Sequence, residues 1–464
     1  MNSIFLAVRN IRRNQRRSLV TGAAVGIGGA VMLLLSGFVA QLVFSYQTVT
    51  VQSRGHLTLY REGFYDFGAG DPAAYGIADY AKIVDQIRED PVLAPLVVVA
   101  TPSQQVFGVA SYDPAERSKV FLGTGLVPSD QDHMRAWDGF GLGIGRAPEA
   151  VDMSDEITQR GFVGPGLARI LGLCTALGLE QCPTLPPSTA AAKPGAGTAA
   201  DADMIRSLGA AETPTVPSNL KSINLLASTA GGAPNVVLMD VVAAQSQGFK
   251  GLDDSAVIMT LPLAQQLVYG RGIHKVSAIT IQLRHTSDIP IARKRLMNIL
   301  AGEHLEIYDF KQLDPLYGQI VGLYSGIFIF VMLAMAAVTL FTVVNTVSMN
   351  VMERIAEIGT MRALGVRRSA IRSQYLAEGL ILGSIGATGG LIAGGAIALL
   401  LNGSGAHWTP PGASHSVAFH LDLTATPIQL AAPWMILVVV AGIASVSPAS
   451  RAARMNVVAA LRHV

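Results

Sequence analysis

The stretch "ERIAEIGTMRALGVRRSAI", residues 353–371, holds Glu353, Glu357 and four arginines, with Arg372 just beyond. Apolar runs flank it on both sides. Upstream, 316–352 contains no Lys, Arg or Asp, and neither does 373–401 downstream; 19–46 and 428–447 share the property. A bilayer core about 30 Å thick takes roughly 20 apolar residues of helix, so four spans are expected. Composition agrees. Half of the residues are apolar and 14% are charged, whereas soluble domains carry about a quarter charged residues. The quoted stretch is therefore a short excursion out of the membrane, filled with charge.

Arg9, Arg12, Arg13, Arg16 and Arg17 precede the first apolar run as the basic region of a signal peptide would. That run is too long for a cleaved leader and reads as a span. Short cytoplasmic segments keep Lys and Arg. Arg354, Arg362, Arg367, Arg368 and Arg372 fill the loop after the second span, Arg451, Arg454 and Arg462 follow the fourth, and 402–427 contains neither Lys nor Arg. Both termini and the loop are expected in the cytoplasm. The expected layout is a cytoplasmic amphipathic helix (1–18), spans at 19–46, 316–352, 373–401 and 428–447, and an outer domain at 47–315. A charged loop (353–372), a short outer loop (402–427) and a cytoplasmic tail (448–464) complete it. The formal net charge of +2, with basic residues gathered at membrane borders, is accounted for by topology and anionic lipid, and nucleic acid gains no support.

Within the loop, Met352, Ile355, Ile358, Met361 and Leu364 recur at helical spacing and Gly365 follows as a terminator. Glu353 and Glu357 are like charges four apart, mildly destabilising alone, so this acidic edge gains if something basic docks on it. The alternative is a helix lying on lipid, which the arginines would also suit. Gly22 and Gly26 in the first span, and Gly379, Gly383, Gly386, Gly390 and Gly394 in the third, permit close helix approach, within one chain or across a dimer. Thr342, Asn345 and Thr346 are expected to bond helix to helix. The second span exceeds what a bilayer needs, as a stalk or a tilted helix would.

Residues 47–315 have soluble composition, with "HLTLY", "PLVVVA", "AVIMT" and "VSAITIQL" reading as strands and "IADYAKIVDQI" and "DIPIARKRLMNIL" as helices. An α+β or α/β fold is expected there, in two lobes, with 150–182 and 221–300 forming one and 56–149 most of the other. The Pro/Ala/Gly/Thr-rich 183–220 reads as a flexible insertion. Cys174 and Cys182 are either a disulfide, if this domain is periplasmic, or two unpaired thiols. His407, His415 and His420 have no metal-binding spacing, and none is expected to hold a metal. The 464 residues contain no G-x-x-x-x-G-K-[ST], G-x-S-x-G or H-E-x-x-H, so no nucleotide or peptide hydrolysis and no bound cofactor is expected of them.

"NTVSMNVMERIAEIGTMRALGVRRSAIRSQYLAEGLILG", residues 345–383, resembles the signature region of the MacB/FtsX superfamily of ABC transporter permeases, in which N-T, E-R-x-x-E-I-G-x-x-R-A-L-G and a distal Glu recur. "AVRNIRRNQRRSLVTGAAVGIGGAV" resembles that family's N-terminal helix and first span, and "SPASRAARMNVVAALR" its tail, with Val457 where proline is usual. The resemblance implies a bacterial inner-membrane protein working as half of a homo- or heterodimer, with its large domain periplasmic. It also implies two copies of a separate cytoplasmic ATPase that bind the ATP and Mg²⁺. The loop would be the coupling helix seated on that ATPase, with Glu353, Arg354, Glu357, Ile358, Met361, Arg362, Leu364 and Gly365 as the coupling residues. "GHLTLY", "YDPAERSKV" and "GFVGPGLARILGL" resemble lipoprotein-releasing permeases, which implies lipid-linked cargo and a periplasmic carrier or adaptor. Drug or toxin efflux, a membrane receptor with a non-ATPase partner and, weakest, a membrane enzyme are the alternatives.

Overall fold

The computed structural model describes residues 7, 9–10, 13, 15–68, 71–112, 117–142, 153–179, 221–247, 250–408, 417–421, 423 and 427–455. The 183–220 insertion, Cys182, His415 and the end of the tail lie outside them. Leaving four-residue turns unnumbered, the chain runs α1 (Gln15–Arg54), β1 (Leu57–Arg61), α2 (Tyr80–Glu89), β2 (Val97–Tyr112), β3 (Arg117–Leu126), α3 (Pro128–Arg135), β4 (Arg160–Val163) and α4 (Pro165–Leu171). It continues β5 (Ser222–Ser228), β6 (Pro234–Ala244), β7 (Ala256–Thr260), α5 (Leu261–Tyr269), β8 (Ala278–Leu283), α6 (Ile289–Ile299) and β9 (Leu305–Asp309). The remainder is α7 (Pro315–Glu353), α8 (Ile355–Ala363), α9 (Arg368–Gly403), β10 (His407–Trp408), β11 (Val417–Ala418) and α10 (Pro427–Arg454). The chain divides into a helical unit, Met1–Tyr46, Leu316–Trp408 and Val417–Val464, and a sheet unit dominated by Gln47–Pro315.

In the helical unit, α1, α7, α9 and α10 are 40, 39, 36 and 28 residues long. At about 1.5 Å per residue each exceeds a hydrocarbon core. Val343, Val347, Tyr375, Leu437 and Ala441 lie at its buried centre, while Leu323, Phe330, Leu333 and Phe341 of α7 stand exposed, as lipid-facing side chains do in a membrane bundle. Pro433 and Pro448 lie inside α10, which membrane helices tolerate. Beyond α9, His407 and Trp408 pair with Ala418 and Val417, and Asn402 brackets Leu421 by donating to its carbonyl at 3.1 Å and accepting from its N–H at 2.8 Å.

The sheet unit holds the strands and helices read from its apolar patterns, and its order is β3-β7-β4-β6-β5-β2-β8-β1-β9 with a further β2–β3 pairing. That pairing closes β3, β7, β4, β6, β5 and β2 into a ring. Helix α5 is buried almost all round and packs its Leu263, Ala264 and Leu267 into the core that these strands share. Gly125 of β3 makes this possible, because a Cβ there would run into Ala264. Outside the ring, registered neighbours place Val120, Val109, Leu226 and Val236 in one row across four strands, an apolar surface open to its surroundings.

The expected division into lobes is corrected. One core, around Leu57, Ile87, Ala100, Ile279 and Leu296, joins β1 and α2 to β8 and α6, so 276–300 packs with 57–100 rather than with 221–269. The other, around Val106, Phe121, Leu225, Met239 and Val257, is that of the ring. Strand β2 explains the change. Its 16 residues serve β8 with their first half and β3 and β5 with their second, so one strand belongs to both halves.

Two polar centres pin the sheet unit. His56, fully buried, accepts the Leu283 N–H on Nδ1 at 3.0 Å and therefore donates from Nε2 to Thr286 Oγ1 at 3.1 Å. Trp137 and Phe310 meet its ring edge-on at 5.0 and 6.3 Å. Asp90 accepts from Arg295 Nε and Nη2, at 2.7 Å for the closest contact, and from the N–H groups of Val92 and Leu93. The Arg295 guanidinium holds its carboxyl below the usual carboxylate range. Cys174, itself buried, opens a four-residue helical turn and is disulfide-bonded.

Candidate functional site

Three elements build the loop. Helix α7 ends at Glu353, the chain breaks step at Arg354 with φ −114°, and α8 begins at Ile355. Gly365 closes α8 in the left-handed region at φ +86°. Its N–H donates to the Arg362 carbonyl at 3.1 Å, and the Val366 N–H donates to the Met361 carbonyl at 3.0 Å. This is the paired hydrogen-bond closure that a C-terminal glycine supports. Arg362 Nη1 adds a bond to the Val366 carbonyl at 3.3 Å.

The loop's apolar stripe is not one face. Ile358 is buried and Ile355 and Met361 are half-buried, but Met352 and Leu364 are exposed, Leu364 at 79%. The break at Arg354 turns α8 away from the line of α7, so side chains spaced regularly in sequence diverge in space. Arg354 is buried rather than presented outward. Ile358 and Arg354 are therefore core residues, and the outward set is Glu353, Glu357, Leu364 and Gly365, flanked by the half-buried Met361 and Arg362.

The two carboxylates are already partnered. Arg13 Nη1 donates to Glu357 Oε1 at 3.1 Å, and Arg17 Nη1 pairs with Glu353 Oε1. The base expected to meet this acidic edge comes from the same chain. Matching four-residue spacings at 13/17 and 353/357 were the signal in the sequence, masked by the topological reading of those arginines.

Beneath the loop, Asn350 of α7 donates to Glu378 of α9 at 2.7 Å, both buried, with the charge of Arg354 acting on the same carboxylate. The side chain of Asn10 acts on the same carboxylate. Sequence reading noted Glu378 only as the distal Glu of the signature, although an acid inside an apolar span is a signal by itself. Glu378→Ala is expected to cost about 1–3 kcal/mol, because it strands the buried Asn350 amide, whereas Glu378→Gln keeps an acceptor and loses less. Thermal unfolding of the two variants in detergent compares them.

The small residues pack within the chain. A Cβ on Gly386 would lie 2.8 Å from the Gly22 carbonyl, and one on Gly26 would lie 3.2 Å from that of Gly386. Gly379 meets Ser445, and Gly383 meets Ala441 of α10 at 2.5 Å. Thr346 makes the expected interhelical bond, to Thr21 Oγ1 at 2.6 Å. Thr342 instead donates to Val338 of its own helix, and Asn345 stands exposed. Among the described residues no three His, Cys, Asp or Glu side chains converge as metal ligands.

Residues 329–457, which hold this loop and its flanking helices, match the family model described as FtsX-like permease C-terminal. The chain is 27% identical over 157 residues to the macrolide export ATP-binding/permease protein MacB of Rhodopirellula baltica, covering 32% of this chain and 22% of that protein. To MacB 1/2 of Paracoccus denitrificans it is 28% identical over 168 residues, covering 35% and 25%. To the ABC transporter permease YtrF of Bacillus subtilis it is 33% identical over 121 residues, covering 25% and 28%. The chain thus spans about a quarter of the length of these relatives. With the signature loop built between long apolar helices and this set of relatives, residues 329–457 carry an FtsX-like permease C-terminal domain, and the chain is similar to MacB and ABC transporter permease proteins.

Proposed function

We propose that this permease converts ATP hydrolysis by a separate cytoplasmic ATPase, present in two copies that bind the ATP and Mg²⁺, into a change of shape in its sheet unit. The sheet unit would lie in the periplasm, the helices in a bacterial inner membrane, and the working unit would be a homo- or heterodimer. One observation carries this reading: α8 is a short helix set off by a break at Arg354 and closed by Gly365, between two long apolar helices, with Leu364 exposed at its tip. An exposed leucine on an otherwise charged loop suits an apolar pocket on a partner, and the sharp ends of α8 let a push on it reach α7 and α9 undamped.

The cargo is proposed to be a lipoprotein or another lipid-linked molecule, passed to a periplasmic carrier or adaptor. Drug or toxin efflux is the second reading, favoured by the likeness to proteins named for macrolide export. Pull-down of the detergent-solubilised chain, with mass spectrometry of proteins and lipids, tests both. Recovery of an ATPase with lipoproteins supports the first reading, and an ATPase with an adaptor supports the second. Leu364→Glu is expected to leave folding intact, since the side chain touches no core, and to lower ATPase recovery at least about tenfold, as loss of a buried apolar anchor at an interface does. Undiminished recovery refutes the docking role of Leu364, and no ATPase with the unaltered chain refutes the permease reading.

A further inference from the structure

Helix α1 runs antiparallel to α7 along one seam, the helical stretch just before α1 meets α8, and the contacts step along both sides. Arg13 meets Glu357, Arg17 meets Glu353, Thr21 bonds Thr346 at 2.6 Å, and the Cβ site of Gly28 lies 3.7 Å from Thr339. The two ion pairs join residues 344 and 336 positions apart in sequence. Each partner pair is spaced by four in sequence, with Glu353 closing α7 and Glu357 in the first turn of α8. The two carboxylates, and the two guanidinium groups opposite them, are like charges held near one another across the break at Arg354, and facing one another the two pairs cancel.

Exposed ion pairs add little to stability. Two of them on stiff helices nevertheless set a register, because a slide by one turn, about 5.4 Å, breaks both together. We propose that Arg13 and Arg17 are positioning residues: they clasp the acidic edge of the loop and hold α8 in register with α1, so that displacement of α8 is passed to α1 as well as to α7. Glu353 and Glu357 then serve the clasp rather than touching the ATPase, which is left Leu364 and Gly365. This deepens the permease reading and rests on it for its consequence, though the clasp itself does not require a partner.

Hydrogen exchange of the full chain in detergent tests the clasp without a partner. Arg13→Glu with Arg17→Glu is expected to speed exchange across 355–363 about fivefold or more, as a released local element exchanges faster. Glu353→Arg with Glu357→Arg should do the same, and the four substitutions together should restore slow exchange. Arg13→Lys with Arg17→Lys should stay close to the unaltered chain, and raising salt to about 1 M should erase the differences. Unchanged exchange in the first variant, or no recovery in the fourfold swap, overturns the clasp. The same variants are then assayed with the co-purified ATPase. Coupled hydrolysis lost in Arg13→Glu with Arg17→Glu and recovered in the swap supports the positioning role. Slow exchange restored without coupled hydrolysis would show that Glu353 and Glu357 engage the ATPase directly, and would overturn that role. Failure to recover any ATPase refutes the permease reading, while the exchange data still decide the clasp.

Discussion

Gly390→Leu is expected to abolish accumulation of the folded protein, and Gly389→Leu, one residue away, to leave it unchanged. A Cβ at Gly390 runs into the Gly26 carbonyl and falls 2.8 and 2.9 Å from the Gly26 carbonyl carbon and Cα. Those are backbone atoms of another helix and cannot rotate aside. At Gly389 nothing lies within 4 Å. Overpacking a tight contact costs about 1–3 kcal/mol and more when no side chain can yield. Gly390→Ala should therefore weaken the bundle and Gly390→Leu should force α1 from α9. Membrane-fraction yield and detergent melting of the three variants measure this, and normal yield of Gly390→Leu would mean that the two helices do not cross where the glycines place them.

Acid should loosen the sheet unit well above the range in which carboxylates titrate. Burial pushes the His56 imidazole down to about 3 from its ordinary 6.5. The folded state thus keeps His56 neutral while the unfolded chain binds a proton below pH 6.5. More protons on the unfolded state means stability rises with pH. The His56 contribution is complete above about 6.5 and is lost progressively as pH falls towards 3, by about 1.4 kcal/mol per unit. Asp90, with its carboxyl held low by Arg295, loses its contribution only below the ordinary aspartate value of 3.8, so between 6.5 and 3.8 the His56 loss acts without that of Asp90. The check is hydrogen exchange of β1 and β8 peptides between pH 7 and 4, corrected for intrinsic rates. His56→Phe should be less stable at pH 7, since the Leu283 N–H loses its acceptor, and nearly flat between 6.5 and 4. A slope as steep as that of the unaltered chain would assign the sensitivity elsewhere.

The elements whose cause is local were legible from sequence. Apolar runs such as 316–352 read as spans because lipid demands about 20 apolar residues wherever they occur. Gly365 read as a terminator because a left-handed residue favours glycine, and "AVIMT" and "VSAITIQL" read as strands from their own composition. The candidate site was legible as a stretch but not as a surface. Arg354, equal on paper to the other loop arginines, turns inward because the chain breaks step there, and the stripe from Met352 to Leu364 splits for the same reason.

What the sequence by itself determined is which segments are apolar enough to span a bilayer, the type of the main elements and the likeness of the loop to the FtsX-like permease signature. Each follows from properties carried by one continuous stretch of the chain. Tertiary structure alone decided which distant segments meet: β3 with β7, 134 positions apart at Leu122 and Ala256; Asn350 with Glu378; Arg13 and Arg17 with Glu357 and Glu353. Carboxylates and guanidinium groups attract any opposite charge within reach, so spacing can nominate such pairs but cannot choose among them. The choice falls to helix packing, where Gly26 and Gly390 let α1 lie close against α9 and Thr21 bonds Thr346 of α7 on the way to the loop.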